Sequence, residues 1–431
     1  MKLDLSPYDR VLSAIGHCLV TLISREHRQR FAADARLNDD LYLDSVLVMQ
    51  LLVMLETDYG LRFPDERIGE LTVETVDDLV RALLNINRND NPMPDAQATP
   101  ADEEFDDIKV HCFVSCLCEI IKQSPHVDHR PFYFGVWDAE VVVTTDHRIA
   151  YHTEGLSHDK FCYWFQRLYG VEIKSWYDPQ HSKGGNIRTL IDLVAGRQPS
   201  QQVMVMLDLF RLPERENKYN QNPFPHYVLL TETDDPSRWR LLDHDFRWQG
   251  DISKAQIFYA IESPAVAGGY HFDSAQIEAT QATDIRDYFQ ANLFIDHNPM
   301  TDAVRRIVHA RQQQDELTQL GAALHHLPVL AIRKYAYEHG FAFFWRSLAL
   351  DDDEFEAWCE RIAQLVNQYK RIHYLSLKLA AGGDVLQQSV WLEQILDLLD
   401  AQDVIEFGIK RRLQAVFENW CESVIPEEIA S

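Results

Sequence analysis

Between residues 87 and 107 this chain offers almost nothing to bury. The run carries three prolines among Asn, Asp, Glu, Gln, Ala and Thr, a composition that cannot enter a core and reads as a linker. It obliges residues 1–86 to fold as a small module and leaves the remainder, from residue 108 on, to build its own core. A flexible tether of about 20 residues reaches roughly 25 Å, and holds its cargo near its neighbour at roughly millimolar effective concentration. The whole chain, 431 residues with 46% hydrophobic and 25% charged side chains, has the composition of an ordinary globular protein of two or three domains. Its formal net charge of −26 argues against nucleic acids and anionic membranes as partners and favours cationic ones.

The first module is all-helical by its periodicity. Its sharpest signal is Asp44-Ser45, standing just before the apolar run Val46-Leu47-Val48-Met49-Gln50-Leu51-Leu52. A serine there has a plain reading as the N-cap of a helix. Tyr59-Gly60-Leu61-Arg62-Phe63-Pro64 then supplies a stop and a turn, and Thr72-Val73-Glu74-Thr75-Val76-Asp77-Asp78 opens a further helix. From Asp39 to Asp78 eleven acids face two bases, Arg62 and Arg67, which suits docking against basic patches on partner proteins.

This order of motifs resembles the acyl carrier proteins, four-helix modules whose serine carries 4'-phosphopantetheine. The resemblance implies Ser45 as the attachment residue, with a phosphopantetheinyl transferase and an acyl-loading ligase as partners. It departs from the family at Tyr42 and Leu43, where a glycine often stands.

Residues 108–274 mix helices and strands. A helix is expected from near His111 to Gln123, with further helices at Asp159–Tyr169 and Ile187–Ala195. Strands are expected at Ala139–Thr144, Val203–Leu209, Tyr227–Glu232, Arg238–Asp243 and Ala255–Ile261. This is an α/β or α+β pattern. Residues 275–431 read as helical throughout, at Ala303–Leu320, Pro328–Glu338, Glu354–Leu379, Val385–Leu399 and Gln402–Cys421. No uninterrupted apolar run approaches a membrane span, Met1–Asp9 lacks a secretory signal, and seven cysteines do not form a disulfide framework. A reducing cytoplasm is the expected location, with no membrane partner.

Three residue types in this middle segment point to acyl chemistry. Cys112 opens a helix, where the dipole favours thiolate over thiol. His226 opens one strand and Asp243 closes the next, so the two can meet in a hairpin and orient an imidazole toward the cysteine. Cys116, one turn on, is the rival nucleophile, and Asp245, two residues beyond Asp243, the rival orienter. The other cysteines read as core. A metal site from His111, Cys112, Cys116 and Cys118 is disfavoured, because 112 and 116 share a helix face that 118 leaves.

The order helix Cys, strand His, next-strand Asp resembles the papain-like cysteine fold, and more narrowly the carrier-dependent acyltransferases of butirosin biosynthesis, with an all-helical rear domain. Taken whole, the chain resembles the aryl carrier protein and the condensing protein of petrobactin biosynthesis fused into one. That resemblance implies Cys112 as nucleophile, His226 as base and Asp243 as orienter. It also implies transfer of a 3,4-dihydroxybenzoyl thioester, loaded by an aryl-adenylating ligase, to a polyamine amine (spermidine or its citryl conjugate) in siderophore assembly. Phe113 stands where papain-like enzymes usually have glycine, and no Gln stands at the usual distance upstream for an oxyanion hole, which leaves backbone N–H groups of the helix start as its donors. Two other outcomes remain for such a chain: a carrier fused to a non-catalytic scaffold, or a thioesterase or peptidase of the same fold. The aromatic stretches Phe132–Trp137 and Phe161–Phe165 read as core, and the runs Asp351–Glu354 and Asp234-Asp235 as solvated surface before they read as polyamine sites.

Overall fold

Ser6 caps the first helix, its hydroxyl oxygen accepting the Asp9 amide with Pro7 in the first turn. Val11, Ala14, Ile15, Cys18 and Leu19 then form the buried stripe of α1 (Pro7–Leu22). The computed structural model describes residues 6–86, 110–153, 156–215, 218 and 223–425; the linker expected at 87–107 lies outside them. The next long helix, α2 (Ser45–Tyr59), is capped by Asp44 and ends at Gly60, whose φ of 66° is the left-handed conformation that closes a helix. After it comes α3 (Val76–Ile86). A short α-helix at Arg25–Arg28 lies between α1 and α2, and a 3₁₀ turn over Asp65–Glu70 lies between α2 and α3. Tyr42 itself takes a positive φ of 56°, so the backbone bends there as a glycine would allow. The conformation is held by a hydrogen bond from Arg30 and by the His27 ring at 4.4 Å.

The second region opens with α4 (Cys112–Ile121), buried along its length except at Glu119. It packs on a six-stranded sheet, helped by α5 (Asp159–Tyr169) and α6 (Lys183–Ala195). The strands are β1 (Lys174–Ser175), β2 (Gln201–Asp208), β3 (Pro225–Glu232), β4 (Arg238–Asp243), β5 (Trp248–Ser253) and β6 (Gly269–Asp273), with α7 (Lys254–Ile261) between the last two. Their order across the sheet is β1-β6-β2-β3-β4-β5, and every neighbouring pair is antiparallel, so the architecture is α+β. Both faces of β2 are covered. Val203, Val205 and Leu207 meet α6 and α7, whereas Met204 and Met206 join the larger core containing α4.

Two sequence expectations change here. Ala255–Ile261 is helix, not strand: Ser253 caps it by accepting the Gln256 amide, and Ile257, Ala260 and Ile261 form the i, i+3, i+4 stripe of α7. Of Ala139–Thr144 only Val142–Val143 pairs, in a two-residue ladder with Ile149–Ala150.

The rear is helical: α8 (Ala282–Asn292), α9 (Pro299–Gln313), α10 (Ala336–Leu348), α11 (Asp352–Ala381) and α12 (Val385–Val424). The last was expected as two helices. With no Gly or Pro between Leu399 and Gln402 nothing interrupts it. Pro328–Glu338 breaks instead into short turns leading into α10. Asp351 caps the helix start, Glu354 pairs with Arg412 and Asp235 accepts from Ser237.

The carrier-like region rests on α11. Gly69 lies so close to Asn367 that a Cβ would come within 2.6 Å of that side chain. Arg371 donates to the Asp65 carbonyl at 3.1 Å, and Lys378 pairs with Asp65 at 2.9 Å and Glu56 at 3.1 Å. Tyr374 enters the first region's own core.

Two predictions follow from backbone and burial. Gly60 has open space around it, so Gly60→Ala meets no neighbour and its cost is the strain of a Cβ at positive φ, about 1–2 kcal/mol in chemical denaturation. His158 and His373 are buried and pushed down to about 3, chiefly by burial. The folded chain keeps them neutral, while the unfolded chain protonates them below about 6.5, so stability falls as pH drops through that range. At pH 5, 1.5 pH units at about 1.4 kcal/mol each, every such histidine costs about 2 kcal/mol. The urea midpoint should be lower at pH 5 than at pH 7; an unchanged midpoint contradicts neutral burial.

Candidate active site

Ser45 is the first residue of α2, and its side chain is exposed. The capping role that a serine could have played belongs to Asp44, whose Oδ1 accepts the amides of Val46 and Leu47 at 3.1 and 3.0 Å. Ser45 borders a cleft of about 450 Å³ shared with Arg36, Asn38, Glu74 and Lys370. An exposed hydroxyl at a helix start, free of a capping duty, fits attachment of an anionic phosphodiester.

Cys112 occupies the first position of α4, behind His111, whose side chain makes no cap. It is 7% exposed, and its sulfur accepts a hydrogen bond from the Tyr151 hydroxyl at 3.4 Å. Cys116 lies deeper, donating to the Tyr227 carbonyl at 3.5 Å, and burial holds it well above the usual thiol range. Cys118 points elsewhere, to the His129 carbonyl. Among the described residues no group of three or more His, Cys, Asp or Glu could hold a metal ion.

His226 stands in β3 and Asp243 ends β4, and the antiparallel pairing of these strands brings them together. His226 Nε2 donates to Asp243 Oδ1 at 2.9 Å, both side chains being fully buried. The carboxylate is held from three sides, because Oδ1 also accepts the Phe246 amide at 3.1 Å and Arg215 Nη1 lies 2.9 Å from Oδ2. Burial alone would neutralise Asp243, but His226 and Arg215 outweigh it and keep the carboxylate below its ordinary range. Burial likewise opposes charge on His226. Asp243 and then Cys112, each by charge and by hydrogen bonding, push the imidazole up to about 10. Nδ1 has no nitrogen or oxygen partner, so Nε2 is committed to Asp243 while the ring's other influential neighbour is the Cys112 sulfur. Asp245 falls beyond the end of β4, where strand alternation no longer applies, and accepts from Ser115 at 2.8 Å.

The surroundings add groups that no local sequence pattern announced. Arg333, 5% exposed, faces the small space around Cys112 together with His111, Tyr151, His158 and Tyr227. Beyond His111, His158 and Arg333 opens a cavity of about 670 Å³ whose wall includes Glu140, Asp302, Phe161 and Phe294. On the other side, Tyr151 stacks on Phe224 at 5.2 Å. Phe224 borders a cleft of about 310 Å³ formed jointly with Asp44, Val46 and Leu47 of the first region. Phe132, Tyr133, Phe134 and Trp137 are core. Arg215 and Tyr151 were invisible to sequence reasoning, since each acts from a loop far along the chain.

Comparison with known proteins gives these features a family. Residues 19–83 match the phosphopantetheine attachment site family, and the chain thus carries an attachment domain for 4'-phosphopantetheine. Residues 107–277 match the DUF6005 N-terminal domain and 283–430 the DUF6005 C-terminal domain. Petrobactin synthase of Bacillus anthracis is 37% identical over 325 residues, covering 75% of this chain and 98% of that protein. With a carrier region packed on α11 and a buried histidine–aspartate pair beside a helix-start cysteine, the chain belongs to the petrobactin synthase family, fused to a phosphopantetheine carrier.

Proposed function

We propose that this protein transfers an aryl group, 3,4-dihydroxybenzoyl, from a thioester on its own carrier to a primary amine of a polyamine, spermidine or its citryl conjugate, forming an amide of a petrobactin-type siderophore. The observation that carries this reading is the chain of contacts Arg215–Asp243–His226 beside Cys112, set between a cleft that faces the carrier and a cavity that does not. The antiparallel sheet bearing His226 and Asp243 under a cysteine-led helix also supports a papain-like reading of the second region, the sequence-derived divisions near residues 108 and 275 being its limits.

Ser45 would hold the prosthetic group, whose arm supplies a terminal thiol that presents acyl groups as thioesters. In the resting site, protonated His226 faces Cys112. The Cys112 sulfur attacks a thioester carbonyl, forming a carbon–sulfur bond as the original one breaks, and His226 gives its proton to the departing sulfur. The site then holds an acyl-Cys112 and a neutral imidazole. An acceptor amine attacks the acyl carbon, His226 takes the proton it releases, and amide departs as the carbon–sulfur bond to Cys112 breaks. Atoms and charges return to their starting state. First-turn amides of α4 and the Arg333 guanidinium, which lines the space around Cys112, would favour negative charge on the carbonyl oxygen. The large cavity is lined by carboxylates (Asp138, Glu140, Asp302) and cations (Lys160, Arg306, Arg333) as well as by Phe161 and Phe294, so Glu140 and Asp302 are the groups in it that an ammonium would pair with.

Incubating the aryl-loaded chain with spermidine separates the outcomes: amide supports transfer, free acid a thioesterase, and no turnover a scaffold. Cys112→Ala should lower amide formation at least about a hundredfold, with no aryl adduct on the condensing region by mass spectrometry; full activity would exclude a covalent route. The charged imidazole is lost as pH rises through about 10, so the alkaline limb of kcat/KM should lie near that value. Because the Asp243 charge raises His226, Asp243→Asn should move that limb to lower pH and slow turnover roughly a hundredfold. A limb unmoved by Asp243→Asn counts against His226 as the titrating group.

A further inference from the structure

Lys218 is the one described residue in a stretch of loop between β2 and β3, and it reaches out of its own region. Its ammonium lies 2.8 Å from Asp44 Oδ2, with the lysine side chain 11% and the aspartate 26% exposed. Asp44 divides its labour: Oδ1 caps α2 and Oδ2 takes the lysine. Burial pushes this carboxyl up, but Lys218 outweighs it and keeps Asp44 ionised. A cation pinned to the residue immediately before Ser45 also fixes where Ser45 sits.

Two short routes lead from Lys218 to the site. Its backbone amide donates to the Arg215 carbonyl at 2.8 Å, so the two cations share one turn, and Arg215 is the residue 2.9 Å from Asp243. Its ammonium also lies 5.0 Å from the Phe224 ring centre, and Phe224 stacks on the Tyr151 that bonds Cys112. Lys378, by contrast, holds the carrier through Asp65 and Glu56, away from these groups.

We infer that Lys218 is a positioning residue by which the condensing region recognises its own carrier, reading the carboxylate that adjoins the modified serine and relaying docking to Asp243 and His226 through Arg215. Recognition keyed to Asp44 differs from general attraction to an acidic surface, since it fixes the orientation of the carrier as well as its presence. The kinetic part of this inference rests on the acyl-transfer reading above; the contact itself does not.

A zero-length carbodiimide, which joins a carboxylate to an amine only when they touch, tests the contact on the unmodified full chain. Peptide mapping should recover an Asp44–Lys218 amide from wild type and lose it in Lys218→Met. The aryl-loaded Lys218→Met chain should transfer to spermidine in single turnover about tenfold or more slowly, with its mass gain on phosphopantetheinylation unchanged, and Lys218→Arg should recover most of the rate. An absent 44–218 cross-link, or a Lys218→Met chain transferring at the wild-type rate, overturns the inference. Should wild type itself transfer nothing, the acyl-transfer reading fails while the cross-link still decides the contact.

Discussion

The site is organised around one buried carboxylate. Asp243 is fully enclosed, and an enclosed anion survives only if its surroundings replace the water it has lost. Three groups do so here: the imidazole of His226, the guanidinium of Arg215 and the amide of Phe246. Each comes from a different piece of backbone, a strand, a loop and a hairpin turn. The carboxylate therefore fixes the relative positions of β3, β4 and the loop before β3, and the imidazole that results has only one nitrogen left for chemistry. Removing any partner would leave charge uncompensated in a low-dielectric interior, which is why the arrangement behaves as a unit.

Much of this was readable in the residues, for reasons that can be named. Asp44 and Gly60 mark α2 because a carboxylate cap and a left-handed closing residue are local chemistry. Val203–Leu209 and Arg238–Asp243 read as strands because they are short apolar-rich runs bounded by polar or turn-forming residues. The meeting of His226 with Asp243 follows from a hairpin, the shortest-range of tertiary contacts. What escaped has equally physical causes. Ala255–Ile261 has few residues and no charge to show a face, and only the Ser253…Gln256 spacing betrays a helix. Arg215, Tyr151, Arg333 and Lys218 act across sequence gaps that no periodicity spans. The division of duty at Asp44, one oxygen to its own helix and one to a distant lysine, is visible only in three dimensions.

Cys112 sits between two spaces of different character. The cleft toward α2 is lined in part by the carrier, and the larger cavity beyond His111 and His158 is shared by the second region and the rear helices, with no carrier residue among the described ones in its wall. Tyr151 stands at the boundary, its ring against Phe224 and its hydroxyl on Cys112.

The mooring of the carrier has a geometric consequence of its own. Asn367, Arg371, Tyr374 and Lys378, four of the residues of α11 that touch it, follow one another at intervals of four, three and four, so one face of one rod carries much of the berth. Each residue turns a helix by about 100°. Adding one residue to α11 between its middle and this face would thus swing the berth away from Gly69, Asp65 and Glu56 while leaving every contacting side chain intact. The seat of the carrier region is set by helical pitch as much as by the chemistry of the groups that meet.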